Sequence, residues 1–170
     1  MAILEVLRYP DSRLRNKAIP FETVNDDSRN LANDMLETMY ENKGIGLAAI
    51  QVNIQKRLVV IDLSEEKNKP ICLINLEILS SEGSEESQEG CLSVPEYYDS
   101  VTRAERITYR YQDLEAKVIE GEADGLLAIC IQHEIDHLDG KLFIDYLSPL
   151  KRRRLRKKIE KEEKFHVNIL

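Results

Sequence analysis

Residues 133–137 read His-Glu-Ile-Asp-His, an H-E-x-x-H run. On a helix, positions four apart lie one turn apart on the same face. His133 and His137 therefore offer two imidazoles to one transition-metal ion, and Glu134 can move protons for a water that such an ion activates. Catalytic sites of this kind usually take three protein ligands and leave a position for water. Several residues compete to be the third. His166 is the only other histidine and lies in a charged tail. Glu160 follows His137 by 23 residues, inside a Lys- and Glu-rich run that reads as solvated. Cys91, in Glu89-Gly90-Cys91-Leu92-Ser93, is the better candidate. A thiolate is a strong soft ligand that coordination itself deprotonates, and the preceding glycine allows close backbone approach. The ordinary reading of a free cysteine is a small buried hydrophobe. That suits Cys72, inside an apolar run, and Cys130, although Cys130 lies one turn before the His133–Glu134 pair. Spacing alone does not decide among the three thiols.

These residues must be positioned by a fold. Asn25 to Ser28 offers N-cap candidates, and Leu31, Met35, Leu36 and Met39 recur at helical spacing, which predicts a helix near 26–42 with Gly44 as its stop. Leu58 to Leu63 and Ile71 to Asn75 are short apolar strands joined by a polar turn. Ser80 to Gln88, rich in Ser, Glu and Gly, reads as an exposed loop. Ile107–Tyr111 and Ala116–Ile119 pair as a hairpin. Asp124-Gly125 opens a helix that is apolar almost all round and hence buried, with Gly140 just past its end. It carries the H-E-x-x-H. Ser148 and Pro149 start a last, basic helix. The expected class is α+β, with antiparallel strands packed around a central buried helix.

The chain of 170 residues is long enough for one domain with a real core. No apolar run approaches the roughly 20 residues that span a bilayer. Three cysteines, without an evident secretory leader, point to reduced thiols and a cytoplasmic setting. The net charge of −7 is unevenly spread: residues 151–170 hold nine Lys and Arg against three Glu, so an acidic body carries a basic tail. On charge alone that tail reads as a solvated helix; the sharper reading is a contact with a polyanion such as RNA.

Three segments together resemble the peptide deformylases: Gly44-Ile45-Gly46-Leu47-Ala48-Ala49-Ile50-Gln51, Glu89-Gly90-Cys91-Leu92-Ser93, and Gln132-His133-Glu134-Ile135-Asp136-His137-Leu138-Asp139-Gly140. Tyr9-Pro10-Asp11 and Asp145-Tyr146-Leu147-Ser148-Pro149 extend the resemblance over about the first 150 residues. It implies a catalytic domain over 1–150 with 151–170 as its basic helical extension. The implied reaction removes the formyl group from the initiator N-formylmethionine of nascent polypeptides and releases formate. Cys91, His133 and His137 are the implied ligands of one divalent metal, usually Fe(II), with Ni, Co or Zn as substitutes. Glu134 is the implied general acid and base, and the Gln51 side chain and Leu92 backbone N–H the oxyanion donors. Ile45, Gly46, Ile129 and Cys130, with Glu89 and Gly90, match positions at the substrate. Asp136 is a candidate to orient a ligand histidine, or equally an ordinary ion-pair residue. The resemblance also implies that the basic helix docks on the ribosome near the exit tunnel; it gives no role to a membrane or to DNA. Ile50 stands where the family commonly has Pro or Thr, and Tyr98 where many bacterial members have Arg.

Two other functions fit parts of the pattern. One is a zinc endopeptidase with Glu160 as third ligand. The other is a non-catalytic, metal-stabilised binding domain that docks RNA through its tail.

Overall fold

The computed structural model describes residues 2–169, with side chains through Glu162. Its strands are β1 (Gly46–Ala48), β2 (Leu58–Ile61), β3 (Ile71–Glu82), β4 (Glu85–Cys91), β5 (Val94–Arg103), β6 (Arg106–Gln112) and β7 (Val118–Asp124). Its helices are α1 (Asp26–Glu41), α2 (Gly125–Leu138) and α3 (Pro149–Ile169). The strands form two antiparallel sheets, one ordered β1-β2-β3-β6-β7 and one made of β4 and β5 alone. This is the expected α+β class.

The unbroken apolar run of β2 has a direct explanation in strand geometry. Successive side chains point to opposite faces, and both faces of β2 are covered. Val59 and Ile61 join the core under α2, with Ala128, Ile131 and Leu138. Leu58 and Val60 join the core under α1, with Ala32, Met35 and Met39. Each such side chain contributes about 1.5–3 kcal/mol by leaving water. A third cluster, around the β4–β5 hairpin, holds Leu7, Val94, Val101, Phe143 and Leu155. Leu155 and the half-buried Ile159 thus anchor α3 on the side that carries Cys91.

Helix α1 begins at Asn25, whose side chain accepts the Ser28 N–H while the Ser28 hydroxyl accepts the Asn25 N–H. Its end differs from expectation. The left-handed residue is Lys43, at φ 60°, not Gly44. Lys43 N–H donates to the Tyr40 carbonyl and Gly44 N–H to that of Met39, a Schellman closure. Gly44 serves proximity instead: a Cβ there would lie 2.7 Å from Leu92 Cδ1.

Residues 80–88 are not a loop. β3 runs on to Glu82, paired with β6, and β4 starts at Glu85, paired with β5, with only Gly83 and Ser84 between them. The period of two is present, but in polar residues: Ser87 and Glu89 are buried while Glu86 and Gln88 are exposed. A polar inward face hides a strand from a hydrophobicity pattern. The hairpin of β6 and β7 forms, but its second strand runs Val118–Asp124 rather than Ala116–Ile119, with Ala116 left-handed in the turn at φ 64°. Helix α2 packs across the larger sheet, yet it is not buried all round: Leu126 is exposed and Leu127 and Ile129 are half-buried. Among the described residues, no helix is long and apolar enough to cross a membrane.

Asp62, just past β2, ties α1 to the sheet. Its buried carboxylate accepts from Tyr40 Oη (2.6 Å), Ser64 Oγ (2.6 Å) and the Ser64 and Lys69 N–H groups. Its own N–H donates to the Ile45 carbonyl. Burial alone would raise this carboxyl, but the hydrogen bonds outweigh it and hold it below the ordinary value. A depressed carboxyl stabilises the fold above its unfolded pKa, near 4, and that stability is lost as pH falls through the folded value. Asp62→Ala is expected to cost about 1–3 kcal/mol. In urea titrations the wild type should lose more stability than Asp62→Asn between pH 5 and pH 3.

Candidate metal and catalytic site

The helical spacing in α2 turns His133 and His137 to one side, towards the end of β4, where Cys91 is the last residue. A ligand atom from each of Cys91, His133 and His137 lies within 4.8 Å of the others, so the three could hold one metal ion. Cys91 Sγ is 3.3 Å from His137 Nε2. His133 uses its other nitrogen: Nδ1 is 2.9 Å from Glu89 Oε1. That contact fixes the ring and leaves Nε2 available, the arrangement expected of a ligand histidine. Among the described residues, Glu134 Oε2 and His137 Nδ1 are buried without a hydrogen-bond partner.

The residues opposite α2 come from two motifs sewn together by the N-terminal segment. Leu7 N–H donates to the Gln51 carbonyl and Tyr9 N–H to the Ser93 carbonyl, both at 2.7 Å. The Gln51 amide is oriented from behind: Oε1 accepts the Ala48 N–H at 2.9 Å. Its Nε2 then faces Ser93 Oγ (3.1 Å) and Cys91 Sγ (3.5 Å). Ser93 N–H also points at the sulfur, at 3.4 Å. Gly46 lies beside Glu134: a Cβ there would sit 3.3 Å from the carboxyl carbon, so any larger residue would press on it.

Behind His133 is a buried charge network. Arg103 donates to both oxygens of Glu89 at 2.8 Å, and through Nη1 to Asp136 at 2.7 Å. Tyr146 Oη donates to the same Asp136 oxygen. Arg103 and Glu89 side chains are each 4% exposed. Burial works to raise the Glu89 carboxyl, but hydrogen bonds from Arg103 and His133 hold it at about 2. Glu134 is different: burial dominates and pushes it to about 7. Burial, with His133 and Arg103 nearby, holds His137 well below the ordinary imidazole value, whereas hydrogen bonds to Cys91 and Glu89 outweigh burial and hold His133 well above it. A buried carboxyl near neutrality suits a group that must take up and release a proton.

A cleft of about 570 Å³ opens over the site. Ile45, Gly46, Glu89, Gly90, Ile129 and Cys130 all line it. Glu89 departs from its expected part: its carboxylate is committed to Arg103 and His133, not turned to a ligand. Burial pushes the Cys130 thiol to about 12 and that of Cys72 to about 11, so both stay protonated, and neither joins the three-donor cluster. Asp136 bonds Arg103 and Tyr146 rather than a histidine. Glu160 lies exposed on α3, 3.2 Å from Arg156 at i,i+4, which overturns the Glu160 ligand set. The His166 side chain lies outside the described residues. The sequence reading missed Arg103, Ser93 and Tyr146. Arg103 had a signal: alternation along β5 puts it on the inner face with buried Val101, and an inward cation requires a partner.

A protonatable carboxyl beside three converging donors, in a cleft between two antiparallel sheets, marks a hydrolase of the H-E-x-x-H kind. The family model for polypeptide deformylase matches residues 3–153, and the chain belongs to that family. A peptide deformylase of Alkalilimnicola ehrlichii is 60% identical over 162 residues, 95% of this chain and 91% of that protein. The crystal structure of a peptide deformylase from Legionella pneumophila superposes with a TM-score of 0.91 at 49% identity, covering 98% of each chain. That from Ehrlichia chaffeensis in complex with actinonin gives 0.91 at 40% identity, over 96% of this chain and 99% of that one.

Removing one partner from the buried Arg103–Glu89 pair leaves an uncompensated charge. Arg103→Met is expected to cost about 3–5 kcal/mol in denaturant unfolding. Arg103→Met combined with Glu89→Gln should cost clearly less than the sum of the two single changes, since the stranded charge is gone.

Proposed function

We propose that this chain removes the formyl group from N-formylmethionine at the start of newly made polypeptides, and that it does so with a divalent metal. The observation that carries the reading is the convergence of Cys91, His133 and His137 beside buried Glu134. One soft thiolate and two imidazoles suit Fe(II), Ni, Co or Zn, and Fe(II) is the metal we assign. Once bound, the metal would supply Lewis acidity and lower the pKa of water.

The protein's own residues supply the rest. Glu134 takes a proton from the attacking water on its unpartnered oxygen and delivers it to the leaving amine. Gln51 Nε2 and the Leu92 backbone N–H stabilise the charge that develops on the formyl oxygen. A donor of this kind is worth about 3–4 kcal/mol in the transition state. Gln51 is suited to it because Ala48 fixes its amide from behind. The methionine side chain fills the apolar part of the cleft at Ile45, Ile129 and Cys130. β1 is the outer strand of its sheet and β4 belongs to a two-stranded one, so an extended peptide can add a strand at their edges. The actinonin complex of the Ehrlichia protein supports a ligand-binding cleft here.

Residues 1–150 form the catalytic unit in this reading, and 151–170 a basic extension that meets the ribosome near the exit tunnel, in the cytoplasm. Arg153, Arg154, Lys157 and Lys158 are exposed on α3, suited to rRNA phosphates. Truncation after Leu150 would also remove Leu155 and Ile159 from the core, so charge substitution is the cleaner test.

Formate release from a formyl-Met tripeptide is the decisive measurement, on protein loaded anaerobically with Fe(II) or with Ni. Glu134→Ala should keep its metal and lose about 10²–10⁴ in kcat. Cys91→Ala should lose the metal, and Glu160→Ala neither metal nor activity. No formate from folded, metal-loaded wild type would sink the assignment. Replacing Arg153, Arg154, Lys157 and Lys158 by Gln should weaken ribosome binding and flatten its salt dependence while tripeptide turnover persists; unchanged affinity removes the ribosome from the account.

A further inference from the structure

The cleft does not end at Leu92. A second groove of about 580 Å³ adjoins it, and Arg8, Asn42 and Leu92 line both. The far groove runs along the N-terminal segment Ile3–Leu7 and the end of α1. Its role rests on the deformylase reading, in which the formyl group is the terminus of the substrate. Only residues downstream of the methionine can then occupy any continuation of the cleft.

Arg8 stands at the junction, and Lys43 lines the first cleft next to Asn42, which lines both. Arg8 and Lys43 are exposed and, among the described residues, make no ion pair. Both sit on fixed backbone. Leu7 and Tyr9, on either side of Arg8, are bonded to Gln51 and Ser93. Lys43 is held in the left-handed closure of α1. Carboxylates share the same walls. Asp11 is taken by Arg13 at 2.7 Å; Glu5 and Glu41 line the far groove; Glu96 lines the cleft from β5, without an ion pair among the described residues. The field of the two cations is therefore partly offset, and an anionic group is attracted only where it comes into contact with Arg8 or Lys43.

We infer that Arg8 and Lys43 form a specificity site that favours an acidic side chain shortly after the methionine of the formylated peptide. Both cations are solvated, so the preference is modest, about two- to fivefold, the scale of one exposed ion pair.

The test uses metal-loaded full-length enzyme and C-terminally amidated formyl-Met tetrapeptides, with Glu, Gln or Lys placed in turn at positions two, three and four. At one position or more, kcat/KM for Glu should exceed that for Gln by about two- to fivefold, mainly through KM, and the ratio should shrink as salt rises. Arg8→Glu should invert the preference towards Lys. Lys43→Gly should reduce it while keeping or raising thermal stability, since glycine is favoured in that left-handed position. Equal turnover of Glu and Gln peptides at every position overturns this inference and leaves deformylation intact. An Arg8→Glu ratio identical to wild type overturns it as well. Absence of formate from all peptides overturns the deformylase reading and this inference with it.

Discussion

The site hangs on the ion pair between Arg103 and Glu89. Two charged side chains have been taken almost wholly out of water, which costs several kcal/mol per ion unless geometry and further hydrogen bonds offset it. Here they do: a two-pronged contact between guanidinium and carboxylate, a third bond to Asp136, and His133 on the remaining side of Glu89. The pair and its partners join the β4–β5 hairpin to α2. Glu89 is on β4, two residues before Cys91; Arg103 ends β5; His133 and Asp136 are on α2. The spacing between thiol and imidazole is thereby set from behind by charges that are almost wholly out of water. An apolar core could pack these elements together, but it would not fix the ring plane of His133.

The two halves of the site are held by different physics. The α2 side is rigid because the helix lies over a sheet whose strand β2 is buried on both faces. The opposite side is irregular backbone, and its order comes from single hydrogen bonds: Leu7 to Gln51 and Tyr9 to Ser93 at long sequence separation, and Ala48 to the nearby Gln51 side chain. Charge, hydrophobic burial and backbone pairing each position one part. The proton-transferring carboxyl sits where they meet, in surroundings dry enough to bring it near neutrality.

Much of this was legible in the residues. The H-E-x-x-H spacing, the apolar periods of α1, β2 and α2, and the start of α3 at Ser148-Pro149 all read correctly because each follows from local geometry. Cys91 did not follow from spacing: its glycine neighbour made it the better candidate of three thiols, and the resemblance singled it out. The strand over 85–91 was invisible because its inward positions hold Ser87 and Glu89, polar groups whose partners lie 14 residues or more away in the chain. Glu89 was placed towards the substrate for the same reason. Long-range pairing assigns a buried carboxylate its work, and composition does not report it. Lys43 in the left-handed position instead of Gly44 is a smaller case: the glycine was required by Leu92, a tertiary neighbour.

The segment Leu7–Tyr9 has a consequence for how the protein comes into being. Its bonds to residues 51 and 93 cannot form until the middle of the chain exists, and the histidines arrive 40 residues later still. The pieces of the site are therefore spread from residue 7 to residue 137. Contacts of such high sequence separation carry a large loop-closure entropy and form late in folding. No early fragment can hold the three donors together, so the chemistry switches on only after α2 has been made.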